Sequence, residues 1–327
     1  MTVLVTGASG LLGGAVARVL VARGEDVRTL QRRPSGVLGA SDVAGSVTDP
    51  EVVARALQGV DAVVHLAARV SLAGARSEFD AVNIGGTTTL LDAAERAGVR
   101  RFVQVSSPSV AHAGAALVGV GASPADPARA RGDYARTKAA AELLALDRDG
   151  GGAGGLAVVA VRPHLVWGPG DTQLVERVLD RAARGRLPLL DRGAALIDTT
   201  YVDNAADGIV AALDRADAVH GRAYVLTNGE PRTVADLLAG ICRAGGVRPP
   251  AWHVPARVAR TAGGLVEAVW RLRPGTDEPP MTRFLAEQLS TAHWFDQRAT
   301  RADLRWRPAV GIDEGFDRLA AHYRARD

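Results

Sequence analysis

Short apolar segments that alternate with helical ones, a glycine-rich turn joining the first strand to the first helix, and an ordinary globular composition predict an α/β fold. The expected architecture is a doubly wound parallel sheet followed by a smaller, mostly helical C-terminal domain. Apolar residues make up 47% of the 327 positions and charged residues 23%, the balance of a chain that can bury one or two sizeable cores. Strands are expected over 2–6, 26–31, 42–45, 61–66, 101–106 and 156–162. The run 61–66 is apolar enough for a strand covered on both faces. Helices are expected over 11–22, over 50–58 with Pro50 near the first turn, over 79–97 ending at Gly98, and over 134–147. The stretch 149–155, DGGGAGG, reads as a surface loop, because the strand pattern resumes after it. Beyond Gly168 helices dominate and prolines are frequent. Residues 1–168 therefore form the dinucleotide-binding domain, with 196–214 (strand and helix over 197–213) returning to it. Residues 169–195 and 215–327 form the substrate-binding domain.

Several function classes are excluded. The net charge of +3 is small and scattered, with none of the basic stripes and interleaved aromatics of a nucleic-acid binder. Cys242 is the one cysteine, so no internal disulfide forms, and it reads as a small buried helix residue. The opening MTVLVTGASG lacks a basic n-region, and no uncharged run reaches the roughly 18 residues that span a bilayer. A cytoplasmic protein without a transmembrane segment is expected. The seven histidines show no metal-ligand spacing, so no metal is expected.

The glycine turn reads TGASGLLG, that is Gly7-x-x-Gly10-x-x-Gly13, with Ser9, Leu11 and Leu12 inside it. Glycines between a strand and a helix permit a tight turn and close approach of the backbone to a pyrophosphate at the positive helix N-terminus. The second strand ends in Gln31-Arg32-Arg33, where a carboxylate would hold the ribose hydroxyl of NAD. Arg32 and Arg33 can instead pair with a 2′-phosphate, so NADP(H) is favoured over NAD(H). The same residues also read as a solvated basic turn.

Of 39 basic residues, 38 are arginine. The single lysine, Lys138, falls four residues after Tyr134, and on a helix that spacing places both on one face. Arginine cannot replace a point charge on a flexible stem. A free tyrosine titrates near ~10 and is a poor base at neutral pH; a nearby ammonium is expected to lower that value. Tyr134 can then exchange a proton with a substrate oxygen while hydride moves to or from a nicotinamide. Ser106-Ser107-Pro-Ser109 ends the strand over 101–106, at the sheet edge where ligands bind. Ser107 is expected to hold the substrate oxygen beside Tyr134, and Ser106 to meet the cofactor. A serine cluster there also reads as plain turn chemistry.

Together with HLAA at 65–68, Asn83-x-x-Gly-Thr87, VSSPSV at 105–110, YARTK at 134–138, VRPHLVWGPGD at 161–171 and YVDNAADGI at 201–209, these motifs resemble the extended short-chain dehydrogenase/reductase family with its Rossmann sheet. The similarity spans nearly the whole chain. It is closest to the 3β-hydroxysteroid dehydrogenase-like group and to bacterial reductases of 2-alkyl-3-oxo acids. The resemblance implies that Leu66, Ala67 and Ala68 pass under the cofactor and that Pro163 and Val166 lie near the nicotinamide. It also implies a homodimer, paired through a four-helix bundle of 79–97 and 134–147. Three departures stand out. Gln31 replaces the acid of NAD-preferring members. Ser46, followed by Val47, stands where an aspartate often meets the adenine. Val110-Ala-His112 replaces the Val-Tyr-Gly of many sugar-modifying members. His112 and His164 flank the expected pocket, and either can touch substrate or stand behind it.

The expected activity is interconversion of a ketone and a secondary alcohol on a bulky apolar, steroid-like or long-chain β-keto acid substrate. The walls proposed for it are the small apolar residues of 111–133 and an amphipathic helix over 254–272 carrying Val258, Leu265, Val269 and Trp270. Two alternatives are a sugar-nucleotide epimerase or dehydratase on the same fold and a non-catalytic dinucleotide sensor. The sensor has no need of Tyr134 and Lys138.

Overall fold

The computed structural model describes residues 1–71, 74–112, 114–151, 154–271 and 282–325. The chain opens with β1 (Thr2–Thr6), α1 (Leu11–Ala22), β2 (Asp26–Gln31), β3 (Ala40–Ala44), α2 (Pro50–Ala56) and β4 (Ala62–His65). A helical run follows as α3 (Arg76–Phe79), a π-helical segment (Asp80–Gly85) and α4 (Gly86–Arg96), then β5 (Arg101–Val105). Next come β6 (Leu117–Val120), α5 (Gly132–Asp147), β7 (Ala157–Pro163), β8 (Val166–Trp167), α6 (Val175–Ala183), β9 (Leu189–Leu190), β10 (Leu196–Ile197) and β11 (Thr200–Tyr201). The last third holds α7 (Val202–Val219), β12 (Arg222–Leu226), β13 (Arg232–Thr233), α8 (Val234–Ala244), β14 (His253–Val254), α9 (Ala256–Arg271), α10 (Arg283–Ser290), β15 (His293–Phe295), α11 (Arg298–Leu304) and α12 (Ile312–Arg324).

The main sheet has seven parallel strands in the order β12-β7-β5-β4-β1-β2-β3. Its central strands β4, β5 and β7 are valine- and alanine-rich because both faces are covered. Val3, Val5, Val64, Val103 and Val159 pack beneath α1 and α7, against Val16, Leu20, Ile209 and Leu213. On the other face Leu4, Val63, Phe102 and Val158 meet Val53 of α2 and Leu90, Leu91 and Ala94 of α4. From β1 the chain winds outward through β2 and β3; from β4 it winds the other way through β5 and β7. That reversal leaves a crevice at the carboxyl ends of β1 and β4, where open α/β sheets bind ligands.

The differences from the sequence reading have local causes. The helix expected over 79–97 is widened by its π-helical segment, from which Asn83 reaches α5. Only part of 197–213 returns to the main sheet. α7 packs on α1, β5 and β7, whereas β11 pairs with β8, and β10 with β13 and β15. The seventh strand of the sheet is β12, inside the stretch 215–327 assigned above to the second domain. A small sheet, β13-β10-β15-β6, joins a strand from the first half of the chain to three from the second. In the glycine stretch 149–155, the Gly150 N–H donates to the Leu156 carbonyl at 2.9 Å, while residues 152 and 153 lie outside the described residues. So do Ala113 in the apolar stretch 111–133, Leu272 at the end of the expected amphipathic helix, and prolines 274, 279 and 280. No described helix is long and apolar enough to cross a membrane.

Candidate active site

The turn after β1 is built from backbone alone. Gly7 has φ +78°, and a Cβ on it would come within 2.9 Å of the Ala67 nitrogen; a Cβ on Gly13 would sit 2.4 Å from the Gly7 carbonyl oxygen. The Gly10 N–H closes the turn onto Gly7 O at 3.1 Å, and Gly10 caps α1. Ser9 and Gly10 are exposed, and Leu11 and Leu12 partly so. No side chain caps the first turn of α1, which leaves its N–H groups to a ligand such as a pyrophosphate.

Thr6 ties this turn to β4. Its hydroxyl oxygen accepts the N–H groups of Leu66 (3.1 Å) and Ala67 (3.0 Å), so its own proton goes to His65 Nδ1 at 2.7 Å. His65 is thereby neutral with its proton on Nε2, which donates to Thr87 Oγ1 at 3.0 Å; Thr87 in turn donates to the Asn83 carbonyl at 2.7 Å. Burial pushes the His65 value down to about 3, with the Lys138 charge acting in the same direction. Asn83 Nδ2 donates to Thr137 Oγ1 at 2.9 Å, and Asn83 Oδ1 accepts the Arg69 N–H at 2.7 Å. A continuous polar chain thus runs from the glycine turn to the helix that carries Tyr134 and Lys138.

Ser107, Tyr134 and Lys138 meet at the end of β5. Ser107 Oγ accepts from the Ser109 N–H (3.3 Å) and from the Ser109 hydroxyl (3.0 Å). Its own proton is left for Tyr134, with which it hydrogen-bonds. Lys138 is 4% exposed, and its Nζ donates to the Val105 carbonyl at 2.5 Å. Burial lowers Lys138 from 10.5 to about 8, opposed by Glu142. Burial raises Tyr134 to about 12, opposed by the Ser107 hydrogen bond. The lowered tyrosine value expected from the sequence is therefore not found, because desolvation outweighs the Ser107 hydrogen bond. At neutral pH the phenol keeps its proton.

The remaining expected residues fall around this centre. Ser106 is buried, and its hydroxyl has no partner among the described residues. Leu66, Ala67 and Ala68 follow β4, Pro163 ends β7 and Val166 opens β8. Gln31 folds back to donate to Thr29 Oγ1 at 2.9 Å, leaving Arg32 and Arg33 exposed beyond β2. Ser46 bonds Thr48 at 2.8 Å, and Val47 packs into the core. His112 and His164 are brought together, both buried, by a third histidine that sequence reasoning missed. His293 of β15 lies 4.9 Å from the His112 ring and 5.9 Å from the His164 ring, edge to face. Burial holds His164 at about 4 and His293 at about 3. His164 Nδ1 donates to the Asp198 carbonyl at 2.5 Å. No sequence motif surrounds His293. Ser109 and Asn83 lay inside motifs, but their roles need the folded geometry. Among the described residues no His, Cys, Asp or Glu group could hold a metal ion. The wall expected from α9 is corrected: Val258, Leu265 and Val269 are more than half exposed, and the helix turns Ala256 and Ala259 inward instead.

Residues 3–227 match the NAD dependent epimerase/dehydratase family. The chain belongs to this family. It is 39% identical to a 2-alkyl-3-oxoalkanoate reductase of Stenotrophomonas maltophilia, over 98% of this chain and 99% of that one. It is 31% identical to a 3β-hydroxysteroid dehydrogenase/Δ5→4 isomerase of Mycobacterium tuberculosis, over 98% and 90%. A short-chain dehydrogenase/reductase superfamily protein of Agrobacterium tumefaciens, solved with bound NAD, superposes with a TM-score of 0.77 at 26% identity, covering 100% and 98%. The Rossmann sheet and the resemblance drawn from the motifs are borne out, and the protein is an NAD(P)-dependent oxidoreductase. Its residues fit a dinucleotide: the glycine cradle that a Cβ would fill lies at the sheet's switch point, and the orphaned Ser106 hydroxyl follows the neighbouring strand β5.

Gly13→Ala tests the cradle. The added methyl cannot fit against Gly7 O, so affinity for NADPH or NADH should fall by about tenfold or more, a loss above ~1.4 kcal/mol. Calorimetric titration of the folded variant checks this, and wild-type affinity would refute the cradle.

Proposed function

We propose that this enzyme reduces the ketone of a bulky apolar substrate, a long-chain 2-alkyl-3-oxo acid or a steroid, to the secondary alcohol with NADPH. The observation that carries the reading is the convergence at the end of β5 of Ser107 and the Tyr134 hydroxyl it hydrogen-bonds, with the buried Lys138 one turn after Tyr134 on α5. The nicotinamide, when bound, supplies the hydride. Ser107 holds the ketone oxygen, Tyr134 gives it a proton as negative charge develops, and the Lys138 ammonium stabilises the phenolate left behind. The glycine turn, Leu66 to Ala68, Ser106, Pro163 and Val166 hold the cofactor. Arg32, with Arg33, takes the 2′-phosphate. Residues 169–195 and the part of 215–327 outside β12 form the substrate side, where the neutral His112 and His164 stand near the substrate. The named substrates of the relatives, a 2-alkyl-3-oxoalkanoate and a 3β-hydroxysteroid, support a bulky apolar ligand. We also propose a homodimer paired through α4 and α5, whose Leu143 is 43% exposed.

Three measurements test this reading. NADP(H) should bind more tightly than NAD(H), and Arg32→Ala should cost NADP(H) about 1–3 kcal/mol, the range for a charge-assisted hydrogen bond, while sparing NAD(H). Equal wild-type affinities in fluorescence titration would count against it. Long-chain 3-oxo acids or steroids should raise the melting temperature of the NADPH complex and be consumed with NADPH oxidation, whereas UDP- and dTDP-sugars should do neither. Stabilisation by the nucleotide sugars alone would replace the ketone reading with the epimerase one. Light scattering at micromolar concentration should give the mass of two chains, and a monomer would reject the bundle.

A further inference from the structure

Arg162 is among the largest fully buried side chains in the described structure. Its Nε donates to Glu142 Oε2 at 2.9 Å and its Nη2 to Glu142 Oε1 at 2.5 Å, with the two side chains 2% and 1% exposed. The remaining arm, Nη1, donates to the Ser123 carbonyl at 2.6 Å. A buried ion pair is a poor choice for stability alone. Desolvation costs several kcal/mol per ion, and apolar replacements of similar volume are often neutral or stabilising. The mechanism above uses neither residue.

Their placement supplies a reason. Glu142 stands one turn after Lys138 on α5. Arg162 immediately precedes Pro163 at the end of β7, and β7 pairs with β5, whose Val105 carbonyl holds Lys138 Nζ. Ser123 belongs to the segment 121–131, which runs from β6 on the substrate side to the start of α5. Arg162 also lies beside Pro108, Leu117, Val120 and Phe295, between the Ser107 turn and the second-half strand β15. One planar guanidinium therefore fixes the catalytic helix, the strand end at the nicotinamide side, and the substrate-side segment relative to one another. Lysine, with no fork, could not make these three bonds.

We propose that the Arg162–Glu142 pair is a positioning device for catalysis, locking Tyr134 and Lys138 against the substrate-side segment 121–131. The inference rests on the reading of Tyr134 and Lys138 as catalytic. Glu142 has a second effect, because a carboxylate one turn away favours the charged form of a buried ammonium. The charged or titratable groups that face Lys138 are Tyr134 and Glu142 from its own helix, His65 from β4, and Arg162 of β7 through Glu142. His65 is neutral, so Glu142 is the group opposing burial.

The test uses the full-length enzyme with NADPH and a long-chain 2-alkyl-3-oxo acid. The double variant Arg162→Met with Glu142→Leu should fold with an unchanged or higher melting temperature. Its kcat should fall by about tenfold or more, since small misplacements of reacting groups are costly, with KM for NADPH nearly unchanged. The alkaline limb of its pH–rate profile should move to lower pH by about half a unit or more. Arg162→Lys keeps a cation beside Glu142 but loses the fork, so kcat should drop with the alkaline limb in place. Wild-type kcat and pH profile in the double variant would overturn the proposal, as would wild-type kcat in Arg162→Lys if the double variant does not fold. Tyr134→Phe, run in parallel, separates the two readings. Full activity there removes the catalytic assignment itself, whereas an inactive Tyr134→Phe beside a fully active double variant removes only the positioning role.

Discussion

The ammonium of Lys138 is a cation buried to 4% exposure, and much of the surrounding structure accommodates it. Burying a cation disfavours its charged form, which appears here as a value lowered to about 8. The site compensates with short-range partners. The Val105 carbonyl accepts from Nζ, and Glu142 lies one turn along the helix. Ala135, Ala139 and Ala141 are buried on the same helix, and such small side chains let its backbone sit close to the sheet. The nearest imidazole, His65, is held neutral by two threonines and adds no second positive charge.

The same polar chain gives the glycine turn and α5, the helix of Tyr134 and Lys138, a common frame. Thr6 organises the backbone of Leu66 and Ala67 under the expected cofactor path, and the chain passes through His65, Thr87 and Asn83 to Thr137, one residue before Lys138. Every side chain in it is held by at least two hydrogen bonds, so it has little rotational freedom. Pre-organisation of this kind favours catalysis, because the groups that meet hydride and proton need not rearrange as charge develops. The protonation states agree with the proposed direction of reaction: a neutral phenol donates, and a nearby ammonium receives the negative charge it leaves.

The sequence disclosed the periodic and local features. Valine-rich runs bounded by glycine located six of the seven main-sheet strands to within a few residues, and the glycine turn stood where a strand passes into a helix. The seventh strand, RAYVL, follows a long helix in a region without motifs, and only its pairing with β7 reveals its place. Lys138 was conspicuous because the other basic residues are all arginine. The tyrosine value differs from expectation because it depends on burial, opposed by the Ser107 hydrogen bond, and spacing contains neither. His293 was missed since its neighbours are brought together only by the pairing of β15 with β6 and β10. The α9 pattern was correctly amphipathic, but an apolar stripe does not say which side packs, and here small residues face inward.

The buried, depressed ammonium is the most direct point at which to test this account, and the sequence makes the measurement clean. With one lysine in the chain, isotopic labelling of lysine side chains gives one ammonium signal in the NMR spectrum, and its shift can be followed against pH in the intact protein. The account predicts a single titration with a midpoint near about 8. A midpoint at the ordinary lysine value of 10.5 would show that Lys138 is solvated, and would contradict the site described here.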